Sequence, residues 1–279
     1  MTKILNRYIK KITHKNIITG THFDLTGQKY HGGTTLSSGT LPKWDILNKA
    51  FLIKRCSFDD YGNYLTDAAN EELIYLFCKS LGVPCAYYRL INIKYFDDEA
   101  KKEIYCPAAL TEIFPGPLVH YRIVRMRCKL GQINDELIEF SERFTVQPDL
   151  NAQFLVDYIF NQQDRHSKNI GLVNQRLSPL FDSGACLFYD EFDDNLNSGL
   201  INRIPRHKTF SKPLDELLTF SLRYVNRSVG FEFDAAEATE AFMVSFLQMS
   251  AAYSLKRAEF IKYFVRERIK NAGQILASL

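Results

Sequence analysis

The chain has 279 residues, of which 46% are hydrophobic and 24% are charged. This is the composition of an ordinary soluble globular protein, and the length allows one large domain or two packed lobes. The formal net charge of +3 argues against a dedicated nucleic-acid binder, which concentrates far more positive charge.

The cysteines and the N-terminal stretch indicate a compartment. The six cysteines form no CxxC pair and no zinc pattern with histidine, so we expect buried thiols in a reducing compartment. The basic N-terminal stretch lacks the apolar run of a signal peptide, and no stretch reaches the roughly 18 apolar residues of a membrane span. We therefore predict a cytoplasmic protein that does not associate with a membrane.

The first part of the chain is predicted to be rich in strands. A stretch rich in Gly, Ser and Thr, residues 31–44, precedes an apolar run with a lysine near its end, residues 49–55. A short apolar run of this kind indicates a buried strand. Two further strands are predicted over residues 87–96 and 105–114, and the FPGP sequence at the end of the second marks a turn or hinge.

A helix is predicted between these strands, over residues 66–82. Leu73 and Phe77 share one face at helical spacing. Thr66 is a candidate N-cap, and Gly82 is a candidate stop.

The second part of the chain is predicted to be mostly helical. A helix begins at Pro148 and runs into the sequence DRHSKNIGLV, and the tail from about Ala235 is also helical. The segment between the FPGP turn and the Pro148 helix fits neither the helical nor the strand period clearly. We predict an α+β fold with a strand-rich N-lobe, residues 1–114, and a helical C-lobe, residues 115–279. A cleft between two such lobes is a usual place for a ligand.

The strongest chemical motif lies in DRHSKNIGLV and the following SPLFDSG. Asp164 and Asn169 share one loop, and a small hairpin of residues 170–173 with residues 179–181 would bring Asp182 back beside Asn169. Phosphoryl transfer needs such a set. One carboxylate orients the acceptor hydroxyl and accepts its proton, while an amide oxygen and a second carboxylate hold magnesium against the phosphates.

These two loops resemble the catalytic and metal-binding loops of the HipA and CtkA serine/threonine protein kinases, and the similarity is best over about residues 36–190. That family has the two-lobed kinase fold and uses the order Asp-x-His-x-x-Asn. The resemblance implies that Asp164 is the catalytic base, that Asn169 and Asp182 bind Mg²⁺, and that ATP is the phosphate donor. The second loop reads Asp-Ser-Gly here, where ordinary kinases have Asp-Phe-Gly.

The first part of the chain supplies expected partners of this centre. Lys54 ends the predicted strand, where it can reach the α- and β-phosphates, and it needs a carboxylate to hold it. Glu71 resembles the family's helix glutamate, whereas Glu72 points about 100° away round the helix. Alternatively, Lys54 is an edge lysine and Glu71 an acid favoured by the helix dipole. In the catalytic loop, Lys168 either neutralises charge on the transferred phosphoryl group or is solvated, and His166 is expected to make structural hydrogen bonds.

Two segments are candidates for nucleotide binding. SSGTLPKW, residues 37–44, resembles the family's phosphate loop, although a plain hairpin turn is the alternative. Its candidate contacts are Ser38, Gly39, Thr40 and Lys43. TEIF, residues 111–114, falls where the linker between lobes would run, so Glu112 and Phe114 are candidates for adenine contact; a strand end before the turn is nearly as good an interpretation.

Two charged segments give weaker evidence of function. RIVRMRCK, residues 122–129, alternates basic and apolar residues, and a solvated face of a strand or helix is favoured over contact with nucleic acid or an acidic partner. The acidic DEFDDN, residues 190–195, has the position of an activation loop, where its charge would attract a basic peptide.

We therefore predict an ATP-dependent, magnesium-requiring serine/threonine protein kinase with a protein substrate and no direct nucleic-acid binding. Members of the family autophosphorylate a serine in the phosphate loop, which makes Ser38, and after it Ser37, the candidate sites. The motifs begin within the first 40 residues and leave no room for the family's N-terminal subdomain. We therefore expect either a minimal kinase or one part of a toxin–antitoxin system, whose antitoxin or subdomain-like partner is separately encoded.

Two alternatives stay open at this point. One is a kinase-fold phosphotransferase that acts on a lipid or small molecule, since the transfer residues would be the same. The other is a non-catalytic nucleotide-binding component of a toxin–antitoxin or regulatory complex. The intact set of Asp164, Asn169, Asp182 and Lys54 argues against this second alternative.

Overall fold

The structure is a computed structural model, and it describes residues 23–30, 41–46, 50–98, 100–114, 116–131, 135–225 and 233–278. The chain forms two compact units. Residues 1–72 and 87–113 make up the first unit, and residues 73–86 and 114–279 the second.

The first unit is built on a sheet that has five strands among the described residues. These are β1 (Phe23–Asp24), β2 (Lys43–Ile46), β3 (Phe51–Arg55), β4 (Tyr88–Asp97) and β5 (Lys102–Glu112), in the spatial order β1-β4-β5-β3-β2. The short β1 runs parallel to β4, and the other neighbours are antiparallel. The three strands predicted from apolar runs are confirmed, with ends that differ by a few residues.

Alternation of side chains builds the core of this unit. Phe51 and Ile53 of β3 are buried, as are Ile93 and Tyr95 of β4, as expected for strands whose inner residues recur every second position. Trp44 packs edge-on against Tyr95 with ring centroids 5.0 Å apart. This packing holds β2, and the lysine that begins it, against the rest of the sheet.

The predicted helix is present as α1 (Asp67–Ser80). Its start is tied to the segment after β3, because the Asp67 carboxylate accepts hydrogen bonds from Ser57 N at 3.1 Å and Ser57 Oγ at 2.9 Å. Thr66 lies at the N-cap position, yet its buried hydroxyl makes no capping bond with any described residue. Gly82 has a φ of 68°, the left-handed conformation that glycine adopts readily just after a helix.

The second unit is mostly helical. Its helices are the end of α1, α2 (Tyr121–Cys128), α3 (Glu136–Phe144), α4 (Gln147–Ile159), α5 (Leu214–Phe220), α6 (Ala235–Met249) and α7 (Leu255–Ala277). A π-helical turn, Ser221–Val225, extends α5, and short 3-10 turns lie at Asp193–Asn195, Ser198–Asn202 and Ser250–Ala252. The strands β6 (Leu118–His120), β7 (Gly171–Val173) and β8 (Arg176–Leu177) form a small antiparallel sheet in that order.

The hairpin after the catalytic motif differs from the prediction. Residues 170–173 were expected to pair with residues 179–181, whereas β7 pairs with β8 across a two-residue turn. The turn residues Asn174 and Gln175 both have positive φ, 52° and 64°, and this geometry matches the twist of a tight hairpin. The predicted pairing of residues 170–173 with residues 179–181 was wrong because the tight turn at Asn174 and Gln175 contains no glycine that would mark it in the sequence.

Residues 179–181 instead pair with the segment that follows α1. Leu180 N donates to Pro84 O at 2.9 Å, and Ala86 N donates to Leu180 O at 2.8 Å. Phe77 of α1 packs against Phe160 with ring centroids 5.0 Å apart. The end of α1 is thereby held beside the catalytic motif within the second unit.

The expected burial of the thiols holds for four of the six cysteines. None of the six cysteines forms a disulfide; Cys85 and Cys128 are half-buried and the other four are buried. Within the described ranges, no helix combines the length and the apolar character that a membrane crossing requires.

Candidate active site

A part-buried ion pair joins β3 to α1 in the first unit. Lys54 Nζ lies 2.9 Å from Glu71 Oε1, and the two side chains are 17% and 1% exposed. The adjacent Glu72 leaves the helix in another direction and accepts from Arg89 Nη1 at 2.7 Å and Leu90 N at 2.6 Å. Burial raises the pKa of the Glu72 carboxyl, and Arg89 opposes this effect. Of the two glutamates, Glu71 is therefore the partner of Lys54.

A second lysine lies directly opposite Lys54. Lys43 of β2 is its register partner, so both side chains leave the same face of the sheet. Lys43 is buried. The remaining phosphate-loop candidates, Ser37, Ser38, Gly39 and Thr40, lie outside the described residues.

Arg165 organises the catalytic motif in the second unit. Its side chain is 1% exposed. Nε and Nη2 form a fork on the Asp157 carboxylate, at 3.0 and 2.9 Å. Nη1 donates to Asn169 O at 3.3 Å and to Phe181 O at 2.5 Å, and Nη2 donates to Ser183 Oγ at 3.0 Å. One guanidinium thus holds the two predicted metal-binding segments side by side.

The two predicted metal ligands carry hard oxygen atoms. Asn169 is buried, and its Nδ2 donates to Asp164 O at 3.1 Å, which leaves the amide oxygen as the acceptor atom of that side chain. Asp182 is half-buried and has a φ of 52°, a left-handed conformation that Asp tolerates better than most residues. Amide and carboxylate oxygens are the ligands that Mg²⁺ takes in proteins, completed by water and phosphate oxygens. The residues present therefore fit a magnesium ion.

Asp164 lies at the surface of the same loop, with its side chain 38% exposed. Its backbone N–H donates to Gln162 Oε1 at 2.9 Å, which fixes the start of the loop. Its Oδ1 lies 2.6 Å from Lys208 Nζ, and its Oδ2 lies 3.8 Å from His166 Nε2. His166 Nδ1 accepts a hydrogen bond from Lys168 N at 3.3 Å. Lys168 itself is exposed, so its ammonium group is available to a ligand or to solvent.

A neutral histidine is buried beneath the loop. His207 Nδ1 accepts from Thr209 N at 3.2 Å and Phe210 N at 3.4 Å, so the ring proton is on Nε2, which lies 3.9 Å from Asp157 Oδ2. Burial, and after it the charge of Arg165, lowers the pKa of His207 to about 3. Burial raises the pKa of Asp157, and Arg165 opposes that shift. The charged pair at this position is Asp157 with Arg165.

The two adenine candidates belong to different units. Glu112 ends β5 in the first unit and is exposed. Phe114 belongs to the second unit, where its ring packs edge-on against Phe181 with centroids 5.4 Å apart. Ile113 N, between them, donates to Ala50 O at 3.0 Å. That N–H is therefore used within the sheet.

Acidic side chains of the segment 190–195 pair with basic side chains of the same chain. Asp193 Oδ1 accepts from Arg257 Nε at 2.8 Å, and Asp194 Oδ1 accepts from Lys256 Nζ at 2.8 Å. These contacts join the segment to the start of α7. They weaken the interpretation that this charge attracts a basic peptide.

Sequence analysis missed Arg165, His207 and Lys208. Arg165 is visible in the DRH sequence, but only the fold shows that it turns inward to Asp157. His207 and Lys208 lie more than 40 residues from Asp164 in the sequence, and no local spacing connects such distant positions.

Comparison with solved structures identifies the fold. The Helicobacter pylori proinflammatory kinase CtkA matches with a TM-score of 0.61 and 15% sequence identity, over 93% of this chain and 99% of CtkA. This chain has a two-lobed, kinase-like α+β fold. HipA of Shewanella oneidensis MR-1, solved with HipB and operator DNA, matches with a TM-score of 0.44 and 14% identity, over 90% of this chain and 66% of HipA. No family model and no curated protein sequence matches the chain. The predicted fold class is confirmed, and the likeness to CtkA concerns the fold alone.

Proposed function

We propose that this chain is a serine/threonine protein kinase that transfers the γ-phosphate of ATP to a protein hydroxyl group with the help of Mg²⁺. The observation that supports this most is the ion pair between the half-buried Lys54 and the buried Glu71. Taking two charges out of water costs several kcal/mol, and apolar residues often stabilise such a position equally well. In protein kinases, this strand-lysine and helix-glutamate pair must be in place for catalysis.

The residues of the chain have distinct tasks in the proposed reaction. Lys54 contacts the α- and β-phosphates. Asn169 and Asp182 hold magnesium, which neutralises phosphate charge when it is bound. Asp164 orients the acceptor hydroxyl and accepts its proton. Lys168 neutralises charge on the transferred phosphoryl group.

A labelling experiment tests this proposal and separates it from the alternatives. The protein is incubated with γ-labelled ATP, Mg²⁺ and a cell lysate, and label is then measured in protein, lipid and small molecules. Phosphoserine or phosphothreonine in protein supports the proposal. Label confined to lipid or small molecules shows a different acceptor class. ATP binding without any label contradicts the proposal in favour of a non-catalytic nucleotide-binding protein, and absence of both label and ATP binding contradicts all three.

Two further proposals concern regulation in the cytoplasm. The kinase phosphorylates Ser38, or Ser37, in its own phosphate loop. A phosphoserine there adds about −1.5 to −2 charges where ATP phosphates would bind, so the modification inhibits. Tandem mass spectrometry of protein incubated with Mg-ATP, compared with Asp164→Asn, tests this. We also propose a separately encoded antitoxin or subdomain-like partner, which co-purification from the native host tests.

A further inference from the structure

Three exposed basic residues of the second unit lie on the catalytic loop or on segments that contact it. Arg122 N donates to Ser167 O at 3.2 Å, so the start of α2 lies against the catalytic loop. Lys168 is in that loop, and Lys208 reaches Asp164 from a distant segment. We call Arg122, Lys168 and Lys208 the basic rim. All three are exposed.

The charges of the basic rim are poorly balanced. Within the described ranges, no acidic side chain forms an ion pair with Arg122 or Lys168, whereas Arg125 on the same helix pairs with Glu136 at 3.2 Å. Of the three residues of the basic rim, Lys208 alone forms an ion pair with Asp164. Three cations and one carboxylate give the catalytic loop and the segments that contact it an excess of positive charge.

The segment that carries Lys208 is anchored, while the Lys208 side chain itself is exposed. Thr209 N and Thr209 Oγ1 both donate to Arg165 O, at 3.1 and 3.0 Å, and His207 is buried beneath them. The Lys208 side chain is 55% exposed. Exposed ion pairs contribute no more than about fivefold to an equilibrium, so Lys208 can exchange Asp164 for another carboxylate with little loss.

We propose that the acceptor is a protein segment with acidic residues beside its serine or threonine, and that Lys208 moves from Asp164 to a carboxylate of that segment. This inference rests on the proposed kinase function. The exchange leaves Asp164 Oδ1 open to the acceptor hydroxyl. The new O–P bond then forms as the bond from the γ-phosphorus to ADP breaks, and the hydroxyl proton passes to Asp164. A basic segment would be repelled and would leave Lys208 in place.

Binding of labelled peptides tests the basic rim without requiring transfer. The probes are fluorescein-labelled EEEEASEEEE and the matched neutral QQQQASQQQQ, measured by anisotropy with the full chain at low salt. Variants Arg122→Glu and Lys208→Glu each remove an attraction and add a repulsion. The matched control is Arg127→Glu, because Arg127 is exposed in the last turn of α2, about 140° round the helix from Arg122.

The acidic peptide is expected to bind about tenfold more tightly than the neutral one. Arg122→Glu and Lys208→Glu should each weaken it about fivefold or more, and Arg127→Glu less than about twofold. Equal binding of both peptides overturns the inference, as does an equal effect of Arg122→Glu and Arg127→Glu in folded protein. Displacement by a ten-nucleotide RNA at a lower concentration than by unlabelled peptide also overturns it, in favour of nucleic acid.

Phosphate transfer to the same peptides separates this inference from the proposed function. Lys208→Met should abolish the preference for the acidic peptide, measured as the ratio of kcat/KM on the acidic peptide to kcat/KM on the neutral one. A merely structural role of Lys208 would lower both rates together and overturns the exchange. Binding that depends on the basic rim, with no transfer to any acceptor, supports the rim and contradicts the kinase function.

Discussion

Glu71 and Glu72 are adjacent buried carboxylates with different partners. We expect Glu71→Gln to slow phosphate transfer by about 10²-fold, because a displacement of about 1 Å at a reacting group has this effect and Lys54 loses the group that positions it. Glu72→Gln should instead lower the free energy of unfolding by about 1–3 kcal/mol and leave kcat unchanged, since its partners are Arg89 and Leu90. Transfer rates and urea unfolding curves measure both effects. Equal losses of rate would refute the distinction.

His207 gives the fold a specific dependence on pH. Its pKa is lowered from 6.5 to about 3 by burial, so below pH 6.5 the unfolded chain binds a proton that the folded chain does not. Stability contributed by this residue is therefore present above pH 6.5 and is lost as pH falls towards 3. The wild type should lose about 1.4 kcal/mol per pH unit relative to His207→Gln in this window.

Urea unfolding of both proteins at several pH values between 6.5 and 4.5 measures this difference. The comparison removes the opposite effect of Asp157, whose raised pKa is common to both proteins. A difference in stability that does not change with pH would show that His207 titrates normally in the fold.

A site residue can be predicted from the sequence when its partners lie close to it along the chain. Asp164 and Asn169 share a short loop, so their order alone suggests the chemistry. The resemblance to the family's helix glutamate favours Glu71, and Glu72 then points about 100° away round the helix. The contact of Lys208 with Asp164 joins distant parts of the chain, and no residue pattern indicates it.

The element that positions the catalytic loop is α4, through Asp157 and Arg165. Asp157→Leu and Arg165→Met each leave one buried charge uncompensated, so each should lower the free energy of unfolding by about 3–5 kcal/mol. The double variant removes both charges and should recover part of this loss. Its transfer rate should stay low, because Asn169 O and Phe181 O lose their shared donor.

Equilibrium unfolding and transfer assays on the two single variants and the double variant form a double-mutant cycle that measures both effects. A double variant that transfers phosphate at the wild-type rate would show that Arg165 does not position the loops. A double variant no more stable than the worse single variant would show that the two charges are not coupled.

Periodicity predicts the long elements and fails for the short ones. The strands β4 and β5 and the helices α1 and α4 have enough residues to show a clear period. β8 has two residues, and its register depends on the left-handed turn at Asn174 and Gln175. The sequence does not clearly predict α2, because basic residues interrupt its apolar face. The buried residues of that face are Tyr121 and Val124.

At the scale of the whole molecule, the order of strands and helices was enough to predict the fold class. A strand-rich first part followed by a helical second part leads to the α+β fold that the chain shares with CtkA. The details that assemble the site depend on contacts between distant segments, such as Leu180 with Pro84. These contacts are set by packing, which sequence patterns do not encode.

The most direct test of the central claim is the initial rate of γ-phosphate transfer from Mg-ATP to protein, measured for the wild type and Asp164→Asn. The wild type should transfer label, and Asp164→Asn should be slower by about 10²–10⁴-fold, the usual contribution of a general base. Titration calorimetry should show similar Mg-ATP affinity for both, because Asp164 is not a predicted metal ligand. A folded Asp164→Asn protein that transfers phosphate at the wild-type rate, or a wild type that binds no Mg-ATP, would contradict the account.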